Sequence, residues 1–301
     1  MKSKVLRLIL LATVLVAFVL YYIYNQAQFA KIGNLTFWEI LLIIIGQSMV
    51  IISNIFILMI LVRFIARRLS FLGAARITAY SSLINFFGFL QGGLGFRGIY
   101  LKTNYQMSLR KYFVLTFVQY CIFFSFAGLL LILGLWLTSG VQQVVFFLLL
   151  ALFLLLLTLV IIDRIKPATY VQALERLKKT HDVFQALPLL GVAAATVFQL
   201  SGSMLASAVE LHAIGASISL GGLLIYTGIS QFAIIIALTP GAIGIRETIL
   251  LIVQQQMHLT TETIIVASTI DRVVYFVTLA LFAPLAIGVK RGRPVKDTAS
   301  E

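Results

Sequence analysis

The stretch Trp38–Val62, WEILLIIIGQSMVIISNIFILMILV, decides the fold class. Its one charge is Glu39, next to its start, and it is longer than the ~20 apolar residues that carry a helix across a bilayer. Five more apolar runs approach or exceed the same length: Val5–Tyr24, Tyr112–Leu137, Val141–Ile162, Pro188–His212 and Thr263–Gly288. The composition agrees with them. Of 301 residues, 61% are hydrophobic and 11% charged, whereas a soluble domain carries about a quarter charged residues. A helix satisfies its own backbone hydrogen bonds in lipid, and the ~10-residue alternation of barrel strands dominates nowhere. The expectation is an all-α, polytopic integral membrane protein, a single transmembrane domain over 1–301.

The run Val5–Tyr24 has Lys2 and Lys4 before it and Arg7 at its start, in the manner of a signal peptide. Its core is long, and Ala27-Gln28-Phe29 is a poor cleavage site, so it reads as an uncleaved first helix. Cys121 is the only cysteine, which excludes an intrachain disulfide and a cysteine metal cluster. The net charge of +13 sits in short loops between membrane helices, where bases orient the protein and touch anionic headgroups; nucleic acid is not an expected partner. His181, His212 and His258 lie in separate segments, and no Walker loop, nucleophile elbow or zinc spacing occurs. No metal, cofactor or catalytic residue is therefore expected, and the chain does not read as an enzyme.

The positive-inside rule orients the segments. Lys2, Lys4 and Arg7 place the N-terminus in the cytoplasm, and the loop Asn25–Phe37, with Lys31 alone, lies outside. Arg63, Arg67, Arg68 and Arg76 bring the chain back inside. Arg164, Lys166, Arg176, Lys178 and Lys179 mark a second cytoplasmic segment, read as an amphipathic surface helix, and Lys290, Arg291, Arg293 and Lys296 hold the C-terminus inside. Nineteen of the 23 bases then fall inside, one outside, and Arg97, Arg246 and Arg272 within membrane segments.

Ile77–Lys111 begins and ends at cytoplasmic bases, and Gln91-Gly92-Gly93-Leu94-Gly95 breaks it in the middle. An arm of ~15 residues covers ~22 Å at 1.5 Å per residue, less than the ~30 Å hydrocarbon core. Ile77–Tyr105 therefore reads as a re-entrant hairpin from the cytoplasmic side. Ser217–Leu238, the break Thr239-Pro240-Gly241-Ala242-Ile243-Gly244 and a short arm to about Met257 read as a second hairpin, from the outside. About six spanning helices and two re-entrant hairpins result. They form an inverted repeat of halves 1–139 and 140–289, followed by a cytoplasmic tail, 290–301, an arrangement common among secondary transporters.

The two breaks share a pattern: Gly92-Gly93-Leu94-Gly95-Phe96-Arg97 and Gly241-Ala242-Ile243-Gly244-Ile245-Arg246. Gly95 and Gly244 are expected to supply tight turns with positive φ. Arg97 and Arg246 are expected in the first turn of helices that start near mid-membrane, where a cation opposes the dipole unless an anion is held nearby. The structural alternative is that the glycines are packing sites and the arginines pair with Glu210, Glu247 or Asp271. In the last helix, Asp271 and Arg272 point about 100° apart, so Asp271 pairing with Arg246 while Arg272 faces a cavity is one arrangement; a purely structural ion pair is the other. Asn85, Gln91, Gln119, Gln199 and Gln231 also interrupt apolar spans, each as helix–helix glue or as a ligand contact.

These half-sites, extended to Gln91–Arg97 and Thr239–Glu247, and the stretch Ser268–Tyr275 resemble the lysylphosphatidylglycerol synthase transmembrane family, also called flippase-like. The resemblance covers nearly the whole chain. It implies a lipid-handling membrane domain, which in the bifunctional synthases moves aminoacylated phosphatidylglycerol between leaflets. Those synthases add a soluble aminoacyl-transferase domain. Here the chain ends about a dozen residues after the last predicted helix, and that activity is not expected. Where the second half-site has Glu247, the first has Gly98.

The reading that follows is a lipid flippase, or a transporter of a lipid-linked anionic substrate, in the cell membrane. Its candidate substrate-binding residues are Arg97, Arg246, Glu247, Asp271, Arg272, Gly95, Gly244, Gln91 and Tyr275. The expected partners are membrane lipids, anionic or zwitterionic phospholipids, with a second copy or a partner membrane protein left open. The alternatives are a membrane enzyme or accessory factor in lipid-linked sugar synthesis, for which Asp163, Glu175, His181 and Asp182 are the available acids and bases, and a non-transporting partner subunit.

Overall fold

A computed structural model of the chain describes residues 26, 30, 33, 35–63, 69–87, 92–139, 186–233 and 244–286. Val5–Tyr24, Val141–Ile162, the basic segment Arg164–Lys179 with His181-Asp182, Gln91, most of the second break and the tail 290–301 lie outside the described residues. Among the described residues there are nine helices and no strand: α1 Phe37–Arg63, α2 Phe71–Phe87, α3 Gly92–Tyr105, α4 Leu109–Ser139, α5 Ala186–Ala213, α6 Leu220–Ala233, α7 Ile245–Ile252, α8 Gln254–Met257 and α9 Thr261–Ala286. Four of them, α1, α4, α5 and α9, are long and apolar enough to cross a membrane, and they fall within three residues of the expected spans.

Hydroxyl caps start most of these helices. Ser or Thr oxygens accept backbone N–H bonds at the entries to α1 (Thr36), α2 (Ser70), α4 (Ser108), α6 (Ser219) and α9 (Thr260). At α1, Glu39 also reaches back to the Thr36 N–H at 2.8 Å, completing a capping box. α7 starts differently, on Gly244 at φ +84°.

Small residues let the helices touch backbone to backbone. A Cβ on Gly46 of α1 would lie 2.6 Å from the Gly202 carbonyl oxygen of α5, and one on Gly202 would lie 2.5 Å from that of Gly46. Ile60 meets Gly191 further along, so α1 and α5 run antiparallel. α4 and α6 repeat the device at Gly134 and Gly221, with Gly228 against Ala127 and the Phe124 and Phe232 rings 5.4 Å apart. With no hydrophobic drive between helices in lipid, such close approach is what holds them. α2 packs on α9, where Phe86 meets Tyr275 and Phe276 at 5.8 and 6.1 Å. α2 thus packs on α9, and α6 on α4.

α2 and α3 form an antiparallel hairpin. Tyr80 meets Phe96, Ser81 meets Arg97 and Asn85 meets Gly93. Their 17 and 14 residues give lengths of about 25 and 21 Å. The hairpin begins at Phe71, six residues before the expected Ile77. One expectation is corrected. Gly95 is not in the turn but inside α3, exposed, with nothing within 4 Å of an added Cβ. The glycine that the hairpin requires is Gly93, where a Cβ would lie 2.1 Å from the Ser81 carbonyl oxygen. Because α3 starts at Gly92, Arg97 stands in its second turn, not its first. Gly244 does hold the expected positive φ.

Candidate functional site

A cavity of about 320 Å³ lies between the two hairpins and the long helices. Arg97, Arg246, Asp271, Arg272 and Tyr275 line it. The sequence places these residues on three elements, α3, α7 and α9, and the fold brings them to one space. Gly95 and Gly244 are not among its lining residues, and Gln91 lies outside the described residues.

The two hairpin arginines are held alike and neutralised differently. Arg97 Nε donates to Ser81 Oγ at 2.6 Å, and Arg246 Nε donates to Ser230 Oγ at 3.3 Å, each across sixteen residues. Arg246 then forms an ion pair with Asp271, and its guanidinium carbon sits 5.9 Å from the centre of the Tyr226 ring. Asp271 also accepts from Gln47 Nε2 at 3.0 Å, and Gln47 in turn accepts from Thr278 at 2.9 Å. Among the described residues, no carboxylate lies within ion-pair range of Arg97.

Arg272 faces the cavity, but it is not free. Its guanidinium pairs with Glu247 Oε1 at 2.5 Å. The other oxygen of Glu247 accepts the Gly244 N–H at 2.8 Å, so this acid both caps α7 and anchors α9. Arg246-Glu247 and Asp271-Arg272 therefore form two parallel pairs that tie the second hairpin to the last helix. Among the described residues the first hairpin has no such tie. At the matching position Gly98 abuts the Tyr112 ring, with an added Cβ at 2.9 Å, and Tyr112 Oη donates to the Leu94 carbonyl at 3.1 Å.

Sequence reasoning missed Ser81, Ser230 and Gln47. Gln47 is a lone amide in an apolar run, the same signal that singled out Asn85 and Gln199. The Glu247–Arg272 pair was also missed, although the order Arg-Glu against Asp-Arg carries it. Glu210, on α5, is fully buried with neither carboxyl oxygen hydrogen-bonded. Among the described residues no three His, Cys, Asp or Glu side chains gather to hold a metal ion.

The model of the lysylphosphatidylglycerol synthase transmembrane region matches residues 7–283. The chain belongs to that family. No curated protein and no solved structure matches it. Family membership makes this a membrane protein of lipid-related function, and the matched range includes both cavity arginines, Arg97 and Arg246.

Proposed function

We propose that this chain is a flippase that moves a phospholipid-like or lipid-linked anionic substrate across the cell membrane. One observation carries the reading: Arg97 lines a cavity among apolar helices with a hydroxyl on Nε and, among the described residues, no carboxylate to balance it. A charge inside a membrane span is costly and is kept for function. A phosphate ester supplies two oxygens to the planar guanidinium fork and neutralises it. Arg246 is the second phosphate contact, and Asp271 balances it between substrates.

The architecture proposed with it is an inverted repeat of about six spans and two re-entrant hairpins, with halves 1–139 and 140–289. Three features support it. Ser81 and Arg97 recur 149 residues later as Ser230 and Arg246, with the same bond between them. The packing of α2 on α9 mirrors that of α6 on α4. α1 and α5, which correspond under the repeat, run antiparallel through reciprocal glycines, as equivalent helices of opposite topology must. With both termini cytoplasmic, the lining residues Leu58, Leu61 and Tyr112 lie toward the basic ends of their helices, so the cavity faces the cytoplasmic leaflet. The sequence carries no ATP-binding motif, and movement is passive or ion-coupled. The reading assigns no covalent chemistry.

The test is transbilayer exchange of a fluorescent phospholipid in vesicles holding the purified protein. Exchange faster than in protein-free vesicles is the expected result. Rates no faster than in protein-free vesicles for every lipid in a panel of anionic and zwitterionic headgroups would overturn the proposal.

A further inference from the structure

The cavity distinguishes among headgroups, and this step rests on the flippase reading. Gln199 lines it at 8% exposure, with its side-chain carbonyl oxygen buried and unpartnered. Gln119 and Gln231 also line it, and neither amide has a hydrogen-bond partner among the described residues. Amides that serve as glue between helices do have partners. Gln47 is saturated by Asp271 and Thr278, Asn54 donates to the Val50 carbonyl, and Asn85 takes the Gly93 N–H. The three remaining amides are, among the described residues, spare donor–acceptor groups facing the same space as Arg97.

A hydroxyl matches an amide in both directions, since each donates and accepts. A cationic substituent finds nothing comparable. Asp271, the carboxylate on the cavity among the described residues, is engaged by Arg246 and Gln47. Glu247 is engaged by Arg272 and the Gly244 N–H. Arg97, with no carboxylate in ion-pair range among the described residues, repels a second cation. The apolar end of the cavity, at Leu58 and Leu61, suits acyl chains rather than a free solute.

We infer that the site takes an anionic polyol lipid, a phosphate ester whose headgroup carries hydroxyls, in preference to a bare phosphate or an aminoacylated, cationic headgroup. The phosphate sits on Arg97 and the hydroxyls on the amides of Gln199, Gln119 and Gln231.

The experiment compares labelled phosphatidylglycerol, phosphatidic acid and lysyl-phosphatidylglycerol in the same protein-containing vesicles. Phosphatidylglycerol should cross roughly tenfold faster than either of the others, the discrimination that one or two neutral hydrogen bonds support. Gln199→Leu and Gln119→Leu should each bring the three rates toward parity; Gln119 is half-exposed, so its replacement keeps the test standing if the Gln199 variant does not fold. Equal rates in the wild-type protein, or fastest transfer of the lysyl lipid, would overturn the polyol inference while leaving transport intact. Transfer of none of the three would overturn the flippase reading and this inference with it. Full inhibition by soluble glycerol phosphate at equal concentration would reassign the site to a free polyol phosphate and overturn its lipid assignment.

Discussion

Two glycines two residues apart in α3 should respond in opposite ways to the same substitution. In Gly93→Ala the new methyl would lie 2.1 Å from the Ser81 carbonyl oxygen and 2.6 Å from Asn85 Oδ1. The first is backbone, so α2 and α3 must separate by more than an ångström. Overpacking of this kind costs about 1–3 kcal/mol. Separation also weakens the Gly93 N–H bond to Asn85 at 2.8 Å and the Arg97 bond to Ser81 at 2.6 Å, for roughly 1 kcal/mol each. The helix-propensity gain of alanine over glycine returns about 1 kcal/mol. The net expectation is a loss of roughly 2–4 kcal/mol. In Gly95→Ala the methyl meets nothing, and the propensity gain stands alone at about 0.5–1 kcal/mol. Gly244→Ala forces alanine to φ +84° and should cost about 1–2 kcal/mol. Denaturation of the three purified variants in mixed micelles, followed by tryptophan fluorescence, gives the order Gly95→Ala, Gly244→Ala, Gly93→Ala from most to least stable. Equal midpoints for the Gly93 and Gly95 variants would refute the close approach of the two arms.

Arg246→Met strands Asp271 and should destabilise the protein by about 3 kcal/mol, whereas Arg246→Met with Asp271→Leu should unfold near the wild-type midpoint; a double mutant as weak as the single would mean that the pair is not the partner relation described. Glu210→Met should hold or raise the midpoint, by up to roughly 1–3 kcal/mol, because both carboxyl oxygens are buried without a partner to lose; a clear loss of stability would show that the carboxyl is bonded. Single cysteines at Asn104 and His258, in a Cys121→Ser background, should react with an impermeant maleimide from inside and from outside respectively. Labelling of position 104 from outside intact cells would remove the first re-entrant hairpin.

The long helices were legible because apolar length is the physical requirement for crossing a bilayer, and a run such as Trp38–Val62 states it directly. The antiparallel pairing of α2 and α3 was legible for the complementary reason, two arms shorter than a bilayer core on either side of a glycine-rich break. Its inner geometry was not. The pattern at Gly92–Arg97 contains three glycines, and only the facing carbonyl of Ser81, sixteen residues before Arg97, selects Gly93 over Gly95. The site was half legible. Buried charge pointed to Arg97, Arg246, Asp271 and Arg272, yet which of them is neutralised depends on α7 lying against α9, a contact between segments 25 residues apart. Once that contact exists, Glu247 belongs to Arg272 and the helix cap, and Arg97 is left as the cation of the cavity without a carboxylate among the described residues.

The central claim therefore rests on Arg97, and lipid transfer by Arg97 variants tests it most directly. Arg97→Ala loses a cation whose one described hydrogen bond is to Ser81, so it should stay folded, eluting as the wild type does in detergent. In vesicles it should move labelled phospholipid no faster than protein-free membranes do. Arg97→Lys should recover part of the rate, since the charge remains but the two-pronged fork to phosphate is lost. Wild-type transfer by folded Arg97→Ala would contradict the account, because the anion would then be held elsewhere.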